Sequence, residues 1–238
     1  MISLATLNKN NHIHLHTSAD EVAVSAAQKI IVAAEEAIAN QGIFKLVVAG
    51  GTTPLATYRI LKNINTDWRA WHIFFGDERC LPDGDSERNS TMVYAAWLSH
   101  IEIPPRNIHS IKAELGPVIA SNHYIDEISD YLPFDLVLLG MGEDGHTASL
   151  FPGQAQSENI LVTPVYNSPK PPSERVSLSR KALTRSQHIL LMITGDNKQQ
   201  AMTLWSEGQI LPINDFADSV NVELLIDEAA LGHKDLKF

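Results

Sequence analysis

The chain has 238 residues, enough for one large α/β domain or two small ones, and 44% hydrophobic with 19% charged residues is ordinary globular material, which excludes disorder. A formal net charge of -10 argues against nucleic acid or an anionic membrane surface as the main partner, and it requires that any anionic ligand be met by Lys and Arg gathered locally. Cys80 is the only cysteine, which excludes an intrachain disulfide or a cysteine metal cluster and fits a reducing compartment. Met1 to Asn11 is polar and lacks the pattern of a signal peptide, and no apolar run approaches the ~18 residues of a membrane span, so the cytoplasm is the expected location.

His12-Ile-His-Leu-His16 alternates, with Ile13 and Leu15 on one side and three histidines on the other, so it reads as a strand with one exposed face. Such a face is either solvated or a metal site. With no carboxylate close by to orient the imidazoles, the solvated face is the expectation. Ser18-Ala-Asp-Glu21 is a capping-box pattern opening a long helix that runs to Asn40, with Gly42 beyond it as a stop.

Lys45-Leu-Val-Val-Ala49 is the next strand, and it runs straight into Gly50-Gly51-Thr52-Thr53-Pro54. Pro54 suits the first turn of a helix, and Leu55, Tyr58 and Leu61 carry the helical spacing onward. Amides at Gly50 and Gly51, the hydroxyls of Thr52 and Thr53 and a positive helix end make a phosphate cradle; the alternative is that Gly-Gly meets only a steric requirement of the turn. A third strand, His72 to Gly76, ends in Asp77-Glu-Arg79, and Asp85 to Asn89 lead into a helix bearing Met92, Val93, Ala96 and Trp97. Ile108 to Leu132 reads as a short strand and an amphipathic helix.

The apolar run from Leu136 to Leu139 has the composition of a strand buried on both faces. It opens into Gly140-Met-Gly142-Glu-Asp-Gly145-His-Thr-Ala-Ser149, where glycines allow close approaches around an acid, an imidazole and two hydroxyls. A buried strand ending this way is where an open α/β sheet puts its ligand. Gln154 to Pro172 is a long polar connection with a short apolar run at Ile160 to Val165, and Arg175 to Ser179 is a strand whose Ser179 caps a short helix. His188 to Thr194 is a further buried strand ending in Gly195-Asp-Asn-Lys198, with Ala201, Leu204 and Trp205 helical, and Val220 to Ile226 is the last strand. The alternation, without internal repeats, makes the fold class α/β in a single domain over 1–238, a mainly parallel sheet covered by helices.

Gly-Gly-Thr-Thr-Pro (50–54), Gly-Asp-Glu-Arg (76–79), Gly-Met-Gly-Glu-Asp-Gly-His-Thr-Ala-Ser-Leu-Phe-Pro (140–152), Arg-Val-Ser-Leu-Ser (175–179) and Gly-Asp-Asn-Lys (195–198), in this order, resemble the 6-phosphogluconolactonase family from the first helix to Asp227. Ser177 and Ser179 stand where that family usually shows threonines. The resemblance implies a Rossmann-like fold, with a mainly parallel twisted sheet and helices on both faces. It further implies hydrolysis of 6-phospho-D-glucono-1,5-lactone to 6-phospho-D-gluconate in the oxidative pentose phosphate pathway, with no metal and no organic cofactor. The expected partner is a small-molecule sugar-phosphate lactone, and the expected assembly a monomer or weak homodimer.

Opening a δ-lactone needs a positioned water, a base for its proton and donors for the developing oxyanion. His146 is the candidate base, since imidazole titrates near neutrality and can return the proton to the departing ring oxygen. Asp144 either orients that imidazole or caps the following turn. By resemblance Asp77 and Arg79 line the sugar side of the pocket, the alternative being a mutual salt bridge. Arg175 and Lys198 match the family's basic positions and would face the Gly51-Thr52-Thr53 amides across a phosphate. The nearest rival is a deaminase of the glucosamine-6-phosphate type, in which the Asp-Gly-His element continues into Phe-Asn-Glu-Pro; here no carboxylate follows His146 until Glu158. A non-catalytic sugar-phosphate sensor would need an output module for which the chain has no room.

Overall fold

The computed structural model describes residues 12–154, 159–217 and 221–232. Met1 to Asn11, Glu158 and Val220, on which three of the expectations above fall, lie outside them. The first half runs β1 (His12–His16), α1 (Ala19–Gln41), β2 (Phe44–Val48), α2 (Thr52–Leu61), β3 (Trp71–Phe75), β4 (Asp77–Arg79), α3 (Asn89–Ala96), β5 (Ile108–His109) and α4 (Pro117–Ser129). The second runs β6 (Phe134–Gly140), β7 (Val162–Val165), β8 (Arg175–Leu178), α5 (Arg180–Leu183), β9 (Ser186–Ile193), α6 (Gln199–Ser206), α7 (Asn214–Ala217), β10 (Val222–Asp227) and α8 (Glu228–Leu231).

Seven strands form one sheet in the order β1-β10-β9-β6-β2-β3-β5, and every pairing in it is parallel. β6 is the middle strand, which explains its unbroken apolar run: Leu138 is fully buried and Leu139 almost so, and Val137 lies beside Val47 on one flank and Ile189 on the other. A strand covered on both faces has no polar side to show. From β2 the chain moves outward to β3 and β5, then returns to place β6, β9 and β10 on the opposite side. The crevice beyond the carboxyl ends of β2 and β6 is therefore the point at which the strand order reverses.

At the edge, β1 pairs with β10, but its two faces are not the apolar and polar pair that alternation suggests. Leu15 is 40% exposed, while His14 Nε2 lies 2.9 Å from Glu223 Oε2, an orienting carboxylate brought in from β10. An edge strand has one neighbour, and the helix behind it covers only part of its inner face. The capping box of α1 forms with a variation: Ser18 Oγ accepts from the Glu21 amide at 3.3 Å, and Glu21 reaches past Ser18 to accept from the Thr17 amide at 2.9 Å. Gly42 closes the helix at φ 81°, a left-handed stop. No described helix is long and apolar enough to cross a membrane.

A second, antiparallel sheet in the order β4-β8-β7 was not legible as a unit in the sequence, because β4 has only three residues. Gly76 joins the two sheets: its amide donates to Val48 O at 3.0 Å in the large sheet, and its carbonyl accepts from the Leu178 amide at 2.8 Å in the small one. Glu78, fully buried, then pins β4 to α3. Its carboxylate accepts from the amides of Arg79 (2.9 Å), Asn89 (2.7 Å) and Ser90 (2.8 Å), so it supplies the cap that Arg88, at the N-cap position, does not. Arg88 is itself buried, with Nε 3.6 Å from Glu78 and Nη1 2.9 Å from Glu114. Glu78→Ala should therefore lower unfolding free energy by about 3–5 kcal/mol, the cost of stranding a buried charge partner, as read from urea denaturation. A loss below about 1 kcal/mol, the scale of an exposed pair, would show that Glu78 is not the anchor of β4.

Candidate active site

A cleft of about 330 Å³ opens at the strand-order reversal. Gly50, Gly51, Thr52, Thr53, Asp77, Arg79, His146, Arg175 and Lys198 line it, so nine of the ten residues singled out in the sequence come to one place. Asp144 stands behind His146 rather than in the wall. Thr53 Oγ1 lies 2.5 Å from Thr194 Oγ1, so the ends of β2 and β9 meet across the intervening glycine end of β6. The amino end of α2 has no side-chain cap, and its first amides face the cleft.

His146 is held from three directions. Its Nδ1–H donates to Asp144 Oδ1, the same oxygen that accepts from the His146 backbone amide at 3.2 Å, so Asp144 both orients the ring and closes the turn. Its ring packs against Phe151 with centroids 4.7 Å apart. Gly142 makes the remaining wall: a Cβ there would sit 2.1 Å from the imidazole, so a side chain and the ring cannot coexist. With Nδ1 engaged, Nε2 is the nitrogen left for chemistry. Burial pushes the His146 pKa below the usual imidazole value, with Asp144 and then Asp77 pulling upward without prevailing. Burial alone would raise the Asp144 carboxyl, but the hydrogen bonds and charge of His146 hold it below the usual carboxylate range.

Asp77 does not pair with Arg79. Its Oδ1 accepts from Asn89 Nδ2 at 2.9 Å and its Oδ2 from Ser149 Oγ at 2.5 Å, and its nearest cation is Arg175, 4.0 Å away. Arg79 instead turns to the Glu87 carbonyl. The cations fall into two neighbourhoods. Arg175 is buried beside Asp77 and Arg79, with Nε and Nη2 donating to the carbonyls of Pro172 (3.3 Å), Lys170 (3.2 Å) and Pro171 (2.9 Å). Lys198 is half-buried near Glu143 and Lys170, and among the described residues its amine has no hydrogen-bond partner; burial lowers its pKa, and Glu143 opposes this. Lys170 lines the cleft too, 3.4 Å from Glu143.

A sequence profile described as glucosamine-6-phosphate isomerases/6-phosphogluconolactonase matches residues 17–222. The chain belongs to this family. It is 33% identical to a 6-phosphogluconolactonase of Mycobacterium leprae over 87% of this chain and 91% of the relative. The crystal structure of a 6-phosphogluconolactonase from Thermotoga maritima superposes with a TM-score of 0.84 at 29% identity, covering 92% of this chain and 100% of that one. A monomeric glucosamine-6-phosphate deaminase also superposes, with a TM-score of 0.77 at 22% identity over 93% of this chain and 100% of that one, a likeness of fold alone. Within the glucosamine-6-phosphate isomerase/6-phosphogluconolactonase fold, then, architecture does not separate lactonase from deaminase.

Sequence reasoning missed Asn89 and Lys170 among the residues of this family member's cleft. Asn89 lies twelve positions beyond Asp77 and reaches it only because Glu78 draws the start of α3 onto β4. Lys170 sits in the long connection that shows no pattern. The electrostatics of His146 make a direct expectation: followed by NMR, its imidazole should titrate below the usual value of about 6.5. In Asp144→Asn the midpoint should fall further, because the largest contribution favouring the imidazolium is gone while burial remains. A midpoint that rises in the variant would mean that Asp144 does not face the ring.

Proposed function

We propose that this protein hydrolyses 6-phospho-D-glucono-1,5-lactone to 6-phospho-D-gluconate in the oxidative pentose phosphate pathway, with His146 as general base. The observation that carries the reading is the Asp144–His146 pair, which leaves Nε2 at a cleft also lined by Arg79, Lys170, Arg175 and Lys198 and by the start of α2. His146 Nε2 takes a proton from water as its oxygen bonds to the lactone carbonyl carbon. The oxyanion so formed lies against the Arg79 guanidinium, whose buried Nε has no partner among the described residues. Collapse of the tetrahedral intermediate breaks the bond to the ring oxygen, and the imidazolium returns its proton there. Asp144 stabilises the imidazolium during this interval. A depressed pKa keeps Nε2 unprotonated at neutral pH, so the acid limb of the rate should lie below about 6.5.

Lys198 and the Gly51–Thr53 turn are proposed for the phosphate, with Lys170 close by and Arg175 lining the same cleft, its Nη1 turned toward Asp77 at 4.0 Å. No metal enters this scheme: among the described residues no three His, Cys, Asp or Glu side chains are placed to share an ion. We also infer a monomer or weak homodimer in the cytoplasm, the location supported by the single unpaired cysteine.

His146→Ala should cut turnover of freshly made lactone by at least about 10²-fold over the spontaneous rate, with the fold intact. Near-normal turnover would remove His146 from the mechanism. Ammonia release from glucosamine 6-phosphate without lactone hydrolysis would replace the whole reading by the deaminase. Lys198→Ala should lower kcat/KM for the phosphorylated lactone by about 10- to 150-fold, as the loss of one charge-assisted hydrogen bond implies, and barely alter the slow reaction of glucono-1,5-lactone. Equal losses on both substrates would place Lys198 at the reacting centre instead.

A further inference from the structure

Asn89 is 3% exposed at the inner wall of the cleft, and its amide is only half satisfied. Nδ2 donates to both the backbone carbonyl and the Oδ1 of Asp77, each at 2.9 Å. Oδ1 is buried and has no partner among the described residues. Exchanging the amide nitrogen and oxygen does not relieve this, because the oxygen would then face two acceptors; the orientation is dictated by Asp77. Opposite Asn89 stands Gly50, where a Cβ would lie 2.1 Å from that same Oδ1. Gly50 thus leaves room for the amide oxygen at the cleft wall, and any larger residue would push it away. A buried amide oxygen without a donor is costly, and such groups in native structures are met by water or ligand.

Two other cleft residues have the same property: Arg79 Nε and Thr147 Oγ1 are buried and unpaired among the described residues. Together they present an acceptor, a donor and a hydroxyl that can act as either. That is the pattern a polyhydroxylated ring complements, and Asn89 ties it to Asp77. Of the three, only Asn89 presents an atom that can do nothing but accept, its orientation fixed by Asp77, so only it demands a donor.

The geometry points to Asn89 as a specificity-determining residue: its Oδ1 accepts a hydrogen bond from one ring hydroxyl of the sugar lactone while its Nδ2 holds Asp77 in place. This rests on the lactonase reading. It predicts discrimination against lactones that lack that hydroxyl, since an analogue without it leaves the buried Oδ1 without its donor. A residue acting only through Asp77 would affect every lactone alike.

The test uses 6-phosphogluconolactone and its 2-, 3- and 4-deoxy analogues with the wild-type protein and with Asn89→Ala. Wild type should process one analogue at least about 10-fold less efficiently in kcat/KM than the parent, the scale of an unpaired buried acceptor. Asn89→Ala should lose at least about 10-fold more on the parent than on that one analogue, because losing the Nδ2 hold on Asp77 affects both substrates while losing Oδ1 affects only the parent. Wild-type indifference to all three deoxy lactones overturns the proposal whether or not the variant folds. An identical loss on all four substrates also overturns it and makes Asn89 a positioning residue for Asp77 alone. Should wild type fail to accelerate hydrolysis of the parent lactone, the lactonase reading fails instead, a result distinct from either.

Discussion

A carboxylate drawn out of water must have its lone pairs met by the protein, and Asp77 is met from three separate parts of the chain. Asn89 comes from the start of α3, Ser149 from the turn after β6, and Arg175 from the start of β8. Those three contacts lock the antiparallel sheet, the strand-end turn and the helix into one cleft wall. Ser149 Oγ, in a fully buried residue, donates a hydrogen bond to Asp77 Oδ2 at 2.5 Å, and the Ser149 amide donates to Ser177 Oγ at 3.2 Å. Ser177 stands opposite Asp77 in the register of β4 and β8, so the network closes on itself. A hydroxyl is all that this position uses, which is why serine serves where the family usually shows threonine.

The same economy governs the turn that carries His146. Gly142 donates its amide to the His146 carbonyl at 2.7 Å and leaves its missing side chain as space for the ring. Gly145, at φ 79°, turns the chain between them and would meet Leu211 at 2.7 Å if it bore a Cβ. Ala148 follows at φ 47°, a left-handed conformation that is uncommon away from glycine and that recurs at functional sites. The turn is thus over-determined by its neighbours, Leu211 on one side and the Asp77 network on the other. Such support keeps the imidazole in one orientation.

How much of this could be read from the sequence depended on how local the cause was. β6 announced itself because burial on both faces writes an unbroken apolar run, and the glycine-flanked Asp-Gly-His element followed it without a gap. The cradle after β2 was legible for the same reason, as strand, Gly-Gly and an early helical proline are consecutive. The small sheet was not, since β4 spends only three residues on it and its partner β8 lies nearly a hundred positions away. Glu78 looked like one member of a surface charge cluster; its role as the cap of α3 exists only once β4 and α3 are packed. Leu15 was misplaced by trusting alternation at an edge, where the strand has one neighbour and its pleat is only half covered.

The charge balance ties these threads together. A protein of net charge -10 offers an unfavourable field to a phosphorylated substrate at a distance, yet Arg79, Lys170, Arg175 and Lys198 all border one cleft. Over roughly 8 Å, the screening length at physiological ionic strength, the distant acids fade and the local cations dominate. Those cations are not interchangeable. Arg175 is fastened by backbone carbonyls and faces Asp77, so its charge stabilises a buried acid as much as it can serve a ligand. Lys198 keeps its amine half-desolvated and without a hydrogen-bond partner among the described residues, and it gains most when an anion arrives. The cleft therefore holds charges that are already balanced, at Asp77 and Arg175, and one that is waiting, at Lys198. A ligand that is neutral at one end and anionic at the other is met unequally by these two groups, and its anionic end is favoured at Lys198.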